Sequence, residues 1–297
     1  MMDACNQAID VLVIDDDGDL NQLLGEYLVQ DQFQYHQALS GGEGLTLAGT
    51  VHPDVVVLDL MLPDMDGYEV CHRMKTQRAT CDIPVILLTC LCHTENVRQG
   101  LLCGAFTHVS KPYEPEQVIR CIRDAAAWRQ RLAQHAEPRH GCLDVADLEQ
   151  TCHTIQEMLV DLVLHTGIDD AALQQIYDAF VLLIAPGGSQ NLRTGAATPH
   201  FDLEYAYVPD SSEHRCSVRW TLSQNVPAML DAVLHPDAAV RATAASDRAI
   251  LRADWERFLK LGGLRVCGCD AAHSRIHLAR SFPSTPSASL LEPVTAA

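Results

Sequence analysis

Short apolar runs alternate with amphipathic stretches from Ile9 to Trp128. Ile9 to Ile14 (IDVLVI), Asp54 to Leu60 (DVVVLDL) and Ile83 to Leu88 (IPVILL) are near-continuous and rich in β-branched residues. Such runs predict strands buried on both faces. Tyr35 to Leu39 and Phe106 to Val109 read as weaker strands. Between them, the 3.6-residue spacing predicts helices over Asp19–Gln30, Gly41–Gly49, Gly67–Gln77, Glu95–Cys103 and from Pro115 onward. In the first helix Leu20, Leu23, Leu24 and Leu28 share the predicted apolar face. Five strands alternating with five helices predict an α/β unit, a doubly wound parallel sheet with helices on both faces.

The second half has a different rhythm. Glu116 to His135 is long for a closing helix and predicts an extension past the domain edge, either a simple connector or a protruding helix able to pair with a second copy. Glu137-Pro138-Arg139-His140-Gly141 reads as a breaker. Residues 142–185 read as helical throughout, followed by a loop at Ala185–Ser189. Phe201–Val208 and Arg215–Leu222 alternate as a hairpin around a turn at Pro209–Glu213. Helical spacing returns over Asn225–Ala249 and Arg252–Leu261, and Leu264–Cys267 with Arg275–Leu278 form a second expected hairpin. The expected organisation is a first domain over 1–136, a linker at 137–141, a separate α+β domain over 142–282 and a disordered Ser/Thr/Pro tail over 283–297.

Composition narrows the function. The chain has 297 residues and a formal net charge of −18. Residues 1–140 carry 10 basic and 20 acidic groups, and residues 141–297 carry 11 and 19, so neither half hides a basic module. A field of that sign repels phosphate, and no nucleic-acid partner is expected. No run approaches the ~20 apolar residues of a membrane helix. Met1 to Gln7 lacks a signal-peptide pattern, so a cytoplasmic location is expected. The 12 cysteines are scattered without zinc-type spacing and read as free thiols.

The chemistry collects at the strand ends. The first strand ends in Asp15, Asp16 and Asp17, the third at Asp59, the fourth at Thr89, and Lys111-Pro112 follows the fifth. In this fold class those ends form one rim. A single aspartate there reads as a turn or cap residue. Several converging carboxylates repel one another unless a cation neutralises them. Oxygen ligands of this kind suit Mg²⁺. With a lysine and a hydroxyl alongside, the set suits a phosphoryl group carried on a carboxylate.

These segments resemble the receiver domain of two-component response regulators, a flavodoxin-like fold. VLVIDDDGDLNQLL resembles the family's opening strand and acidic pair, and VVVLDLMLPDMDGYEV its phospho-acceptor strand, with Pro63 and Asp66-Gly67 in the loop after it. PVILLT and GAFTHVSKP resemble the strands carrying the family's hydroxyl and lysine. The resemblance covers residues 8–130. It implies that Asp59 is phosphorylated by a histidine kinase. It further implies that Asp16, Asp59 and the Met61 carbonyl ligate Mg²⁺ with Asp15 acting through water, that Lys111 pairs with Asp59 and then the phosphoryl group, and that Thr89 is the switch hydroxyl. It also implies a cis bond before Pro112.

The second half only weakly resembles the ATP-binding fold of histidine kinases and anti-sigma-factor kinases. Leu182 stands where an Asn should follow Asp178, TLSQNVPAML lacks the adenine loop, and Gly262-Gly263-Leu264 is a poor glycine box. The expected output is a protein-interaction domain without enzymatic activity beyond phosphorylation and dephosphorylation of the receiver itself. An ATP-binding enzyme domain is the alternative. His153 and His165 sit in no phospho-accepting motif and read as core or surface residues.

The family places Tyr or Phe three residues before its lysine, and this chain has His108. Two readings stand: an ordinary histidine with weak switch behaviour, or a pH-sensitive switch, since free histidine titrates near ~6.5. On the second reading, His108→Tyr alters affinity for the downstream partner and leaves Asp59 phosphorylation intact. Partner titration and phosphate labelling of the variant check this, and loss of labelling sinks it.

Overall fold

The structure is a computed structural model, and it describes residues 8–90, 94–133, 140–144, 147–184, 200–210, 215–223, 256–270 and 275–283. The expected loop at Ala185–Ser189, the helix at Asn225–Ala249 and the tail beyond Pro283 lie outside the described residues.

The N-terminal unit is built from β1 (Asp10–Ile14), α1 (Gly18–Gln30), β2 (Gln34–Ala38), α2 (Gly41–Val51), β3 (Val55–Asp59), α3 (Gly67–Lys75), β4 (Val85–Thr89), α4 (Thr94–Leu102), β5 (Thr107–Ser110) and α5 (Pro115–Ala133). The strands form one parallel sheet in the order β2-β1-β3-β4-β5. The period-two alternation of buried strands sends side chains to two cores. Leu12, Ile14, Val56, Leu58 and Leu87 meet Ala48, Val70 and Met74 of α2 and α3. Val11, Val13, Val55, Val57 and Leu88 meet Leu24, Leu28, Val118 and Ile122 of α1 and α5. The chain runs from β1 outward to β2 and then returns across β1 to β3. That reversal opens a crevice between the carboxyl ends of β1 and β3, where sites form in open α/β sheets.

The first helix is rotated from the expected face. Asn21, Leu24, Gly25 and Leu28 are buried, whereas Leu20 and Leu23 are 44% and 49% exposed. Leu24 and Leu28 satisfy either face, so spacing alone left the rotation open. Asn21 decides it, by turning inward to bond strand-end carbonyls.

The C-terminal half contains β6 (His140–Asp144), α6 (Leu148–His165), α7 (Asp170–Ile184), β7 (His200–Asp210), β8 (Arg215–Ser223), β9 (Arg265–Asp270) and β10 (Arg275–Pro283). Residues 256–262 are also helical. The strands form an antiparallel sheet in the order β6-β7-β8-β10-β9. Both expected hairpins are present, and β10 joins them by pairing with β8 as well as β9. The expectation of helix throughout 142–185 needs correction at its start, and the last two positions of the expected linker, His140 and Gly141, belong to the same strand. Residues His140–Asp144 are a strand paired with β7, some sixty positions away, with His140 opposite Glu204. Edge-strand recruitment rests on a distant partner, and local periodicity does not carry it.

Of the two readings of the last helix of the first domain, a connector or a protrusion, the packing of its end does not favour the protrusion. Trp128 and Leu132 of α5 are buried in a core shared with Leu101 of α4, Ile155, Met158 and Leu159 of α6, and Ile176 and Phe180 of α7. The face that was a candidate for pairing with a second copy is covered by α6. Polar contacts reinforce this seam. The Arg78 backbone N–H donates to Asp170 Oδ1 at 2.8 Å. Its guanidinium donates to the Thr166 and Ile168 carbonyls between α6 and α7. His72 Nε2 lies 3.0 Å from Asp178 Oδ1. No helix among the described residues is long and apolar enough to cross a membrane.

Candidate functional site

The rim over the β1–β3 crevice gathers the acidic residues. Asp15 is 2% exposed and Asp59 7%, while Asp16 is open to solvent. One carboxylate oxygen from each lies within 4.8 Å of the others. From the end of β5, Lys111 Nζ donates to Asp15 Oδ2 at 2.8 Å and lies 3.2 Å from Asp59 Oδ1. The lysine bridges two carboxylates, with the shorter contact to Asp15. The peptide bond Lys111-Pro112 is cis. Thr89 is buried at the end of β4, one position beyond Leu88, which pairs with Asp59. Its carbonyl accepts the Lys111 backbone N–H at 2.7 Å.

Two further expected residues stand at the edges of this cluster. Met61 is two residues past Asp59, with its side chain 71% exposed, and its backbone bridges Asp66. His108 is half-buried on β5 opposite Leu87. Of the other histidines considered, His153 stacks on Phe106. His165 Nδ1 lies 2.9 Å from the Asp161 carbonyl of its own helix.

Burial, with Asp15 adding repulsion, lifts the Asp59 carboxyl above its usual range, and Lys111 opposes this without cancelling it. Burial works to lower the Lys111 ammonium. Its hydrogen bond to Asp15 and the charge of Asp59 outweigh that, so it is held above the usual lysine value. Three carboxylates against one ammonium leave an excess of negative charge. Clustered hard oxygen donors with that excess fit a small divalent cation such as Mg²⁺.

The surroundings fix this geometry. Asp15 Oδ1 accepts the Asp17 N–H at 3.0 Å, and Asp17 caps α1. Asp66 caps α3, and Asp64 accepts the Gly41 and Gly42 N–H groups at 2.8 Å each, tying the loop after β3 to the start of α2. A Cβ at Gly67 would lie 2.4 Å from the Asp59 carbonyl oxygen and 2.7 Å from Leu60 Cα. Only glycine lets the loop close on the acidic strand end there.

Asn21 and Tyr35 support the site and were not singled out from sequence. The Asn21 amide donates to the Asp15 carbonyl at 3.0 Å and the Ala38 carbonyl at 3.1 Å, and its Oδ1 accepts from the Tyr35 hydroxyl at 2.7 Å. The amide thus staples the ends of β1 and β2 behind the acidic residues. An Asn inside the apolar stripe of α1 was the only signal, and a surface reading of it was equally consistent with the spacing.

The sequence of this unit is similar to those of known proteins. The family described as response regulator receiver domain matches residues 11–123. This segment is a response regulator receiver domain. The chain is similar to the DNA-binding dual master transcriptional regulator RpaA of Synechocystis, with 35% identity over 127 residues, 43% of this chain and 53% of that protein. It is also similar to the DNA-binding response regulator MtrA of Mycobacterium tuberculosis, with 34% identity over 148 residues, 50% of this chain and 60% of that protein. The chain therefore spans little more than half the length of the curated relatives it matches. A solved Francisella response regulator 1452 receiver domain is 31% identical and aligns over 39% of this chain and 95% of its own, with a TM-score of 0.38.

The receiver's charge excess sets a pH dependence. The Asp59 carboxyl is raised in the fold, so its ionised form destabilises the native state. Its contribution is favourable at acid pH. That contribution is lost as pH rises from the ordinary carboxylate value of ~3.9 through the higher native one. In chelator, Asp59→Asn is expected to melt a few degrees above wild type at neutral pH, with the gap closing in acid. Thermal melts across pH check this, and a wild type that melts higher at neutral pH contradicts it.

Proposed function

We propose that this chain is a response regulator in which Asp59 accepts a phosphoryl group from a histidine kinase in the cytoplasm. The juxtaposition of Asp15, Asp16 and Asp59 with the Lys111 ammonium is the observation that carries this reading. Asp16, Asp59 and the Met61 carbonyl would hold Mg²⁺, with Asp15 acting through water. The ion, when bound, offsets charge on the transferring phosphoryl oxygens.

The remaining steps belong to the chain. An Asp59 carboxylate oxygen attacks phosphorus in line. The new P–O bond forms as the P–N bond to the kinase imidazole breaks, and the electron pair returns to the ring nitrogen. Lys111 exchanges its contact with ionised Asp59 for one with the phosphoryl oxygens. Thr89, on the neighbouring strand, supplies a hydroxyl donor to the same oxygens, and His108 on β5 is the second switch position. Incubation with acetyl phosphate and Mg²⁺ is expected to add one phosphoryl group per chain, seen by intact mass. Asp59→Asn is expected to add none, and label persisting in that variant overturns the acceptor assignment.

The output reading is a non-DNA-binding protein-interaction domain. The charge of −18, spread over both halves, supports it. Asp178, the one acid left from the ATP-site pattern, is engaged with His72 of α3, which weighs against a working nucleotide site. DNA binding is the second reading, because both curated relatives are DNA-binding regulators. The phosphorylated full chain is expected to leave duplex DNA unbound at physiological salt in a mobility-shift titration. Micromolar binding there would establish the second reading instead.

A further inference from the structure

The antiparallel sheet brings four metal-ligand residue types onto adjoining positions of two strands. β6 and β7 pair with His140 opposite Glu204 and Cys142 opposite Asp202. Successive positions of a strand belong to opposite faces, and residues paired across a ladder belong to the same one. His140, Cys142, Asp202 and Glu204 therefore share one face, two on each strand. Directly opposed positions lie about 4.5–5.5 Å apart at Cβ. Alternate positions of one strand lie roughly 6.8 Å apart. The four residues thus occupy the corners of one small rectangle. The two pairs are some sixty positions apart in the chain, so no local spacing announces them.

This face is the one away from the helices. Leu278 and Phe282 of β10 are buried in the core formed with α6 and α7. Leu278 pairs with Trp220, and Trp220 pairs with Tyr205. Tyr205 follows Glu204 in the chain, so Glu204 and its three neighbours belong to the other face.

Residue type separates this block from an ordinary charged surface. An ion-pair ladder sets basic residues directly opposite the acids. Here the β8 positions opposite Asp202 and Glu204 are Ser223 and Thr221. Arg219 is offset from them, opposite Ala206, and Arg275 lies one strand further, opposite Ser223. On the β6 side the acids face a histidine and a cysteine. Imidazole nitrogen, thiolate sulfur and carboxylate oxygen are the donor types that zinc takes.

We propose that His140, Cys142, Asp202 and Glu204 form a tetrahedral Zn²⁺ site that clips β6 onto β7. Four protein donors close the coordination shell, so the site is structural. β6 is a five-residue edge strand, paired on one side only. Metal binding adds directly to the stability of that pairing. On binding, the Cys142 S–H bond breaks, a Zn–S bond forms and the proton leaves to solvent. No electron changes hands. Affinity therefore falls as pH falls.

Co²⁺ and Zn²⁺ titrations of the full chain test this. One equivalent of Co²⁺ is expected to give tetrahedral visible absorption and a thiolate-to-cobalt charge-transfer band, and Zn²⁺ to displace it. The band separates this site from the receiver's Asp15, Asp16 and Asp59, which offer no sulfur. Cys142→Ser is expected to abolish the band, and Cys121→Ser, a change on α5, to keep it. His140→Gln, Asp202→Asn and Glu204→Gln are each expected to weaken Zn²⁺ binding at least about tenfold, the lower range for loss of even an outer-shell partner. Wild type without the band overturns the site, as does a band that persists in Cys142→Ser. A measurement on wild type alone guards against misfolded variants: saturating Zn²⁺ is expected to slow hydrogen exchange over residues 140–144 at least about tenfold. Unchanged exchange there overturns the clip.

Discussion

Mutual repulsion of carboxylates at the β1–β3 crevice is the constraint around which the receiver is arranged. Asp15 and Asp59 are nearly buried, and Asp16 brings a third oxygen within 4.8 Å. Desolvation and like charge both act against that arrangement, and Asp59 registers the cost in a raised carboxyl pKa. One ammonium, Lys111, bridges two of the three. The cluster is thus left short of positive charge, with hard oxygen donors of the kind that suit a small divalent cation.

Such an arrangement persists only because the surrounding backbone over-determines it. The helix caps of Asp17 and Asp66, the Asp64 contacts to α2 and the Asn21–Tyr35 staple each use ordinary hydrogen bonds to fix one loop. Gly67 removes the one side chain that would hold the loop off the Asp59 carbonyl. The buried apolar strands beneath supply a rigid platform. Burial in the two cores supplies most of the stabilisation, while the hydrogen bonds set the positions of the loops.

The seam with α6–α7 has the opposite character. Its apolar contacts are continuous with Trp128, Ile155 and Phe180, yet it holds three buried polar atoms that find no hydrogen-bond partner among the described residues. A contact that is favourable but imperfectly satisfied suits an equilibrium better than a permanent joint.

What the sequence determined alone follows from short-range physics. The β-branched runs, the helical spacing between them and the polar residues at the strand ends define a parallel sheet and its polar rim, because burial on both faces and chain direction leave few other solutions. Asp15, Asp16, Asp59, Thr89 and Lys111 were all legible for that reason. What only the tertiary structure decided depends on partners far apart in the chain. The inward turn of Asn21 needed the carbonyls of Asp15 and Ala38. The strand at His140–Asp144 needed β7. The last turns of α5 looked free until α6 was seen to cover Trp128 and Leu132. Periodicity records that a residue is apolar or polar, but not which distant surface completes its contacts, and those contacts fix the rotation of a helix, the edge of a sheet and the join between two halves.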